Sequence, residues 1–156
     1  FQGPVNMLDT SRNYAMGESE KRIGIAINAN DGWPQKFVLS TKIDRNMDTL
    51  VLDEKRTRES FEESLKTLNV DSVDVLFLHD PEYAKDINDV TKKGGALNEL
   101  FKIKEEGLAK AVGLAMGRID IMFPILKKWD FDVIINHNRY TSVSYTHLTR
   151  PTNDLV

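Results

Sequence analysis

Two spacings of apolar residues alternate along the chain, and together they predict alternating strands and helices. Five short runs are nearly continuous in apolar residues, which is typical of parallel strands buried on both faces. They cover residues 5–8, 37–41, 73–78, 111–115 and 131–135. Between these runs, apolar residues recur every three or four positions, as they do on the buried face of a helix. The pattern therefore predicts a repeating order of strand and helix.

Local sequence signals mark the start and end of the first two predicted helices and the end of the third. Residues 17–20 supply a flexible entry, a candidate cap and acids suited to the positive end of a helix, and residues 30–34 contain turn formers that would end it. A second helix is expected to begin at Asp53 and to end at Asn69, and a third helix to end at Gly107.

The last predicted helix and the loop before the third one follow weaker signals. Polar residues 82–95 predict a loop, with a partly helical segment as the alternative. Asp120 is expected to cap the last helix. Pro124 is expected in the early part of that helix, where a missing hydrogen-bond donor costs least.

Ionisable residues close the first three apolar runs at a nearly constant interval. Asp9, Lys42, His79 and the pair Ala115-Met116 are separated by 33, 37 and 36 residues, about one strand and helix unit each. This spacing predicts an α/β fold with parallel strands, either a doubly wound sheet or a barrel. Because the carboxyl ends of the strands share one rim in both, these residues are expected to converge there. The sequence contains neither a G-x-G-x-x-G nor a G-x-x-x-x-G-K-S/T fingerprint, which weighs against a dinucleotide-binding fold and against a P-loop protein.

Composition narrows the class of protein without indicating a function. Hydrophobic residues make up 40% of the chain and charged residues 29%, as in soluble globular domains. The net charge of -3 gives no electrostatic reason to expect nucleic acid as a partner. No apolar run approaches the roughly 20 residues that cross a bilayer, and the absence of cysteine excludes disulfides and thiol catalysis. A cytoplasmic location is the default expectation.

Four motifs at or near the predicted strand ends resemble those of the aldo-keto reductase family. They are Asp9-Thr10 with Tyr14, Gly17-Glu18-Ser19-Glu20, Lys42 after Leu39-Ser40-Thr41, and Leu78-His79-Asp80-Pro81-Glu82. The resemblance runs from about residue 5 to about residue 141. Residues 5–14 and 137–141 are most similar to the aldose, fucose and pyridoxal dehydrogenase branch. This resemblance implies a partial (β/α)8 TIM barrel in which about five of the parallel strands are present.

The resemblance also implies a reaction and four catalytic residues. Members of the family move a hydride between NAD or NADP and a carbonyl or alcohol, so a small carbonyl or sugar substrate is expected. Tyr14 is implied as the general acid/base, and since a free tyrosine loses its proton only near pH 10, a nearby cation is needed. Lys42 is implied as that cation, Asp9 as its ion-pair partner, and His79 as a hydrogen-bond donor to the substrate oxygen.

Each of these four residues also has an ordinary structural explanation. Taken singly, Asp9 is typical of a capping acid, Lys42 of a surface lysine, His79 of a hydrogen-bonded strand end and Tyr14 of a half-buried aromatic. The catalytic interpretation is favoured because the ordinary one does not predict four suitable residue types in the right order at successive strand ends.

Cofactor contacts are predicted at the last two strand ends. The family commonly has a serine-asparagine pair after the fourth strand, where this chain has Ala115, Met116 and Gly117, so side-chain hydrogen bonds to the nicotinamide carboxamide are in question. At the next strand end His137 stands where many members have a glutamine, with Asn136 as the alternative. His137 is equally consistent with a polar residue that only closes a strand.

The last part of the chain departs from the family pattern. Residues 143–153 resemble the translated end of a sequencing adaptor, so residues 1–142 are predicted to form the partial barrel and residues 143–156 a non-native or disordered tail, with a natural polar tail as the alternative. A barrel without its last strands and phosphate-binding loop is expected to be an inactive fragment, poorly soluble or oligomeric. A cofactor-binding regulatory barrel, like the potassium-channel β-subunits, and a fragment without function are the rival predictions.

Overall fold

Residues 4–137, the part of the chain that this computed structural model describes, contain one five-stranded parallel sheet with helices between successive strands. The strands are β1 (Met7–Asp9), β2 (Val38–Ile43), β3 (Val73–His79), β4 (Ala109–Met116) and β5 (Val133–Asn136). The helices are α1 (Glu18–Asn28), α2 (Glu54–Leu68), α3 (Ile87–Thr91), α4 (Ala96–Glu105) and α5 (Ile119–Leu126). Short 3₁₀ turns occupy Tyr14–Gly17 and Pro81–Tyr83. The predicted tail, residues 143–156, lies outside the described residues.

The order of the strands decides between the two architectures that the sequence allows. The strands lie side by side in chain order, and every neighbouring pair is parallel. A doubly wound sheet reverses direction at a switch point, and this sheet does not. Right-handed crossovers that all step in one direction place the helices on a single face, as in a barrel. The predicted partial barrel of five parallel strands is therefore confirmed.

Side chains of β2 alternate between two faces and so separate the core from the site. Leu39 and Ile43 belong to the buried apolar cluster, which also contains Phe61 of α2. Because the side-chain period of a strand is two, Ser40 and Lys42 point to the opposite face. That face carries the polar groups described below. No helix within residues 4–137 is both long and apolar enough to cross a membrane.

The predicted ends of α2 and α4 are confirmed. The Asp53 carboxylate caps α2 by accepting the N–H of Arg56 at 2.8 Å, and Asn69 ends the helix with a φ of 56°. Gly107 follows α4 with a φ of 77°, a conformation that favours glycine. Within residues 82–95 the partly helical alternative is correct, since α3 forms there.

The predicted start of the last helix is wrong. Arg118 is the N-cap of α5, so Asp120 lies in the first turn, and Pro124 is the sixth of eight residues rather than an early one. Glu82, from the turn after β3, accepts the N–H groups of Gly117 and Arg118 at 2.7 and 3.2 Å. Glu82 thus holds the backbone just ahead of the helix, while the Asp120 side chain forms an ion pair with Arg118.

Glu20 of α1 is an acid that the fold buries against the sheet. Its side chain has no exposed surface, and one carboxylate oxygen accepts a hydrogen bond from the Thr41 hydroxyl at 2.6 Å. The other oxygen has no partner within residues 4–137. Burial raises the pKa of Glu20, and the nearby hydroxyls of Thr41 and Ser64 and the charge of Arg12 offset this only in part. The ionised carboxylate therefore opposes folding.

Replacing Glu20 with glutamine should raise the melting temperature of the protein by roughly 3 °C at pH 7. The folded pKa lies above the unfolded value of 4.5, so the wild type loses stability as the pH rises through the folded pKa. The difference in melting temperature between Glu20→Gln and wild type should therefore shrink toward pH 4.5. Calorimetry at several pH values would measure it. Glu18→Gln, which alters an exposed pair with Lys21, is the control without this gain. Identical melting curves for Glu20→Gln and wild type at pH 7 would contradict the account.

Candidate active site

Asp9, Lys42 and His79 lie at one rim of the sheet. Asp9 is the last residue of β1, His79 is the last residue of β3, and Lys42 is the next to last residue of β2. Since the strands are parallel, their carboxyl ends lie at the same edge. Apolar strands thus bring together polar side chains that are more than thirty residues apart in the sequence.

Lys42 is a buried cation held by two oxygen atoms. Its side chain is 2% exposed, and its Nζ donates to Asp9 Oδ2 at 2.5 Å and to the carbonyl of Thr10 at 2.7 Å. The Ser40 hydroxyl donates to the other oxygen of Asp9 at 2.6 Å and so fixes the carboxylate. A buried ammonium group needs such partners to remain charged. The ion pair that the sequence predicts between Asp9 and Lys42 is present.

Tyr14 lies beside this ion pair because the chain after β1 follows the end of β2. The backbone N–H of Arg12 donates to the carbonyl of Lys42 at 3.3 Å, and a 3₁₀ turn then begins at Tyr14. The Tyr14 ring centre lies 4.7 Å from Lys42 Nζ and 5.7 Å from the centre of the His79 ring, which it meets edge-on. Tyr14 is 41% exposed, so a small molecule can reach it. The structure therefore brings all four predicted catalytic residues together.

The buried carboxylate of Asp44, just after β2, is a member of this site that sequence reasoning missed. It accepts hydrogen bonds from His79 Nδ1 at 2.7 Å, from the Ser11 hydroxyl at 2.5 Å and from the backbone N–H of Asn13 at 3.0 Å. Burial alone would raise the pKa of Asp44, but the hydrogen bonds and the charge of His79 outweigh it and hold the pKa below its ordinary value. In the sequence, the only indication of this role is that Asp44 is an acid two residues after Lys42.

The contact with Asp44 determines which nitrogen of His79 carries a hydrogen. An ionised carboxylate only accepts hydrogen bonds, so Nδ1 of His79 is the donor. In the neutral ring, Nε2 then carries a lone pair. Nε2 becomes a donor only when the ring holds a second proton, in which case both nitrogens donate.

The predicted cofactor contacts lie at the ends of β4 and β5. Ala115 and Met116 are buried, and Gly117 follows them directly. The carbonyl of Met116 accepts hydrogen bonds from the Asn136 amide at 2.9 Å and from the backbone N–H of His137 at 3.3 Å. The carbonyl oxygen of the Asn136 side chain is buried and has no partner within residues 4–137. Asn136, the alternative to His137 in the sequence, therefore has an acceptor suited to an amide such as the nicotinamide carboxamide.

The strand order and the rim residues define a half-barrel of the (β/α)8 class with an ionisable cluster at the rim where such barrels carry their active sites. The particular family follows from comparison with known proteins. The model of the aldo/keto reductase family matches residues 2–153, and the chain belongs to that family.

Three relatives of known name match most of the chain. A D-threo-aldose 1-dehydrogenase from Pseudomonas is 30% identical, with 88% of this chain and 47% of the relative covered. An L-galactose dehydrogenase from Arabidopsis thaliana is 30% identical (90% and 44% covered). A probable voltage-gated potassium channel β-subunit, also from Arabidopsis thaliana, is 31% identical (85% and 44% covered). The chain spans about half the length of the curated relatives that it matches.

Solved structures agree with this assignment. The crystal structure of an aldo/keto reductase from Brucella melitensis superposes with a TM-score of 0.65 at 26% identity, with 85% of this chain and 47% of that chain covered. A Klebsiella pneumoniae aldo-keto reductase in complex with NADPH shares the fold, with a TM-score of 0.63 at 22% identity and 80% and 39% covered.

Proposed function

We propose that the full-length protein is an NAD(P)-dependent dehydrogenase that oxidises an aldose, or a related alcohol or aldehyde, by hydride transfer. The observation that carries this proposal is the buried Lys42, which is paired with Asp9 and lies 4.7 Å from the ring centre of Tyr14. If Lys42 were only part of a structural ion pair, there would be no reason for an accessible tyrosine to lie beside it. A catalytic role explains this arrangement. The two aldose-type dehydrogenases among the relatives support the choice of substrate class.

Tyr14 is the proposed general base in the direction of oxidation. A bound nicotinamide cofactor would supply the carbon that accepts a hydride from the substrate. As the hydride leaves, the substrate hydroxyl must lose its proton, and the Tyr14 oxygen takes it. The Lys42 ammonium group is the positive charge beside Tyr14 that can stabilise negative charge on the tyrosine oxygen during this transfer. Asp9 orients the ammonium group, and in the reverse direction Tyr14 returns the proton.

His79 is proposed to position the substrate oxygen. Its Nδ1 is held by Asp44, so its Nε2 is the atom available to the substrate. Because the hydroxyl hydrogen of the substrate goes to Tyr14, His79 can hold the substrate oxygen only as a hydrogen-bond donor. With Nδ1 bound to Asp44, that donor is Nε2 of the doubly protonated ring. The Asp44 contact keeps the ring in the orientation that this hydrogen bond needs.

The nicotinamide ring would be held at the ends of β4 and β5. The unpaired side-chain oxygen of Asn136 fits the amide hydrogens of the carboxamide. Ala115 and Met116 are fully buried, so of this segment Gly117 offers its backbone beside the amide, and His137 borders the same place. NAD and NADP share this part of the molecule, so both are candidates.

A second candidate function is regulation by cofactor binding without turnover. The observation in its favour is the potassium channel β-subunit among the relatives, which is as similar to this chain as the two dehydrogenases are. The presence of all four rim residues favours the enzyme.

Turnover separates the two functions. The full-length protein should reduce NAD⁺ or NADP⁺ when D-threo- or L-aldoses are supplied, as followed by absorbance at 340 nm. Tight cofactor binding, with no aldose-dependent reduction across a panel of aldoses and alcohols, would contradict the proposal and favour the regulatory function.

A further inference from the structure

His79, Asp80 and His137 form a cluster of metal-binding side chains next to the proposed catalytic residues. Each offers one ligand atom, and within the described part of the chain the three atoms lie within 4.8 Å of one another. His137 Nε2 is 2.7 Å from Asp80 Oδ1, and His79 Nε2 is 3.8 Å from Asp80 Oδ2. The Asp80 carboxylate therefore has one oxygen directed at each imidazole.

The cluster already has the orienting contact that protein metal sites use. A metal-binding histidine usually donates its second ring N–H to a carboxylate, which fixes the tautomer and makes the other nitrogen a better ligand. Asp44 is that carboxylate for His79, since it accepts from Nδ1 at 2.7 Å. The Nε2 lone pair of neutral His79 is therefore on the side of the ring that faces Asp80.

The backbone holds the three residues in place at the rim. His79 ends β3, and the N–H of Asp80 donates to the carbonyl of Ala115 on β4 at 2.8 Å. His137 follows β5, and its N–H donates to the carbonyl of Met116 at 3.3 Å. The three ligand atoms, which lie within 4.8 Å of one another, need to come to about 2 Å from one ion.

Two imidazoles and one carboxylate with an open fourth position match the ligands of Zn²⁺ sites. Nitrogen ligands weigh against Mg²⁺ and Ca²⁺, which prefer oxygen alone. His137 is 41% exposed, which leaves a path for the ion and space for a water molecule as fourth ligand.

We propose that His79, Asp80 and His137 bind one Zn²⁺ ion, which occupies Nε2 of His79 and excludes the substrate oxygen from it. On binding, the ion replaces the proton that His137 Nε2 and Asp80 share and, where the His79 ring is doubly protonated, the proton on His79 Nε2; these protons are released to solvent. The exclusion of substrate rests on the proposed function, whereas the binding of zinc does not.

Binding is tested on chelator-treated full-length protein without cofactor or substrate. Calorimetric titration with ZnCl₂ should show saturable binding of about one ion per chain, and Co²⁺ should give the visible absorption of a low-coordinate site. His137→Gln and Asp80→Asn should abolish both signals, and Asp44→Asn should weaken binding by roughly 10- to 100-fold through the loss of the orienting contact. Asp89→Asn, which removes an exposed carboxylate paired with Lys92, is the matched control and should bind as the wild type does.

No saturable binding, or binding that is unchanged in both His137→Gln and Asp80→Asn, would overturn the proposed zinc site. Inhibition is a separate measurement. If the full-length protein oxidises an aldose, Zn²⁺ should inhibit competitively with the aldose at the concentration that fills the site, and zinc binding without such inhibition would overturn the exclusion of substrate. A protein that binds zinc but has no turnover would contradict the proposed function alone.

Discussion

Replacing Tyr14 with phenylalanine in the full-length protein should lower kcat for aldose oxidation by roughly 10³-fold while leaving the affinity for the cofactor within about twofold. General acid/base catalysis by a positioned side chain contributes about 10²- to 10⁴-fold, and the substitution removes only the oxygen that carries the proton. The ring itself remains to pack beside Lys42 and His79. Steady-state rates at 340 nm and cofactor titration by protein fluorescence measure the two quantities separately.

Tyr83 provides the matched control for this experiment. It is 58% exposed, and its ring centre lies 5.4 Å from the guanidinium carbon of Arg45. Tyr83→Phe should keep kcat within about twofold of wild type. A Tyr14→Phe enzyme that retains more than a third of wild-type kcat would show that another group handles the proton.

Replacing Lys42 with methionine should lower kcat by roughly 10²-fold or more. Lys42 Nζ lies 4.7 Å from the centre of the Tyr14 ring. If its distance from the tyrosine oxygen is about 5 Å, an effective dielectric constant near 20 gives a stabilisation of roughly 3 kcal/mol, which is about a hundredfold in rate. Methionine has a similar length, so it fills the space of the lysine stem without the charge. The expected loss is in kcat, since the ammonium group acts on Tyr14 and not on substrate binding.

Stability should change less than catalysis in Lys42→Met. Removing one partner of a buried ion pair usually leaves an unpaired buried charge, which is costly. Here the remaining partner, Asp9, has a side chain that is 36% exposed and keeps its hydrogen bond from Ser40, so water can solvate it. Lys110→Met, which removes an exposed lysine paired with Asp74, is the control. Wild-type kcat in Lys42→Met, with an intact fold by circular dichroism, would contradict the role of Lys42.

The strands and the rim positions of Asp9, Lys42 and His79 could be predicted because they depend on local patterns, whereas the role of Tyr14 was implied only by the resemblance to the family. Apolar runs of four to six residues mark buried strands, and an ionisable residue that ends such a run lies at the rim. The structure differs mainly at the strand ends. Lys42 and His79 lie within the last two residues of β2 and β3 rather than after them, because pairing with the neighbouring strand continues to Ile43 and Ala115.

Asp44 and Glu20 could not be predicted because their environments depend on distant parts of the chain. The Asp44 carboxylate accepts hydrogen bonds from Ser11 and His79, which are 33 and 35 residues away in the sequence. Its local sequence suggests only a polar turn. Glu20 has the position of an exposed acid in the first turn of a helix, and it is buried only because α1 packs against other parts of the fold, including Thr41 of β2 and Ser64 of α2. Tertiary contacts thus decide the environment of both carboxylates.

The transfer of isotope from substrate to cofactor tests the central claim most directly. The full-length protein would be incubated with NAD⁺ or NADP⁺ and an aldose that carries deuterium on the carbon to be oxidised, and the reduced cofactor would be examined by mass spectrometry. Hydride transfer at the rim formed by Asp9, Tyr14, Lys42 and His79 predicts one deuterium per reduced cofactor. Tyr14→Phe should lower the rate at which reduced cofactor forms by about 10³-fold. Reduced cofactor without deuterium, or bound cofactor that is never reduced, would contradict the claim.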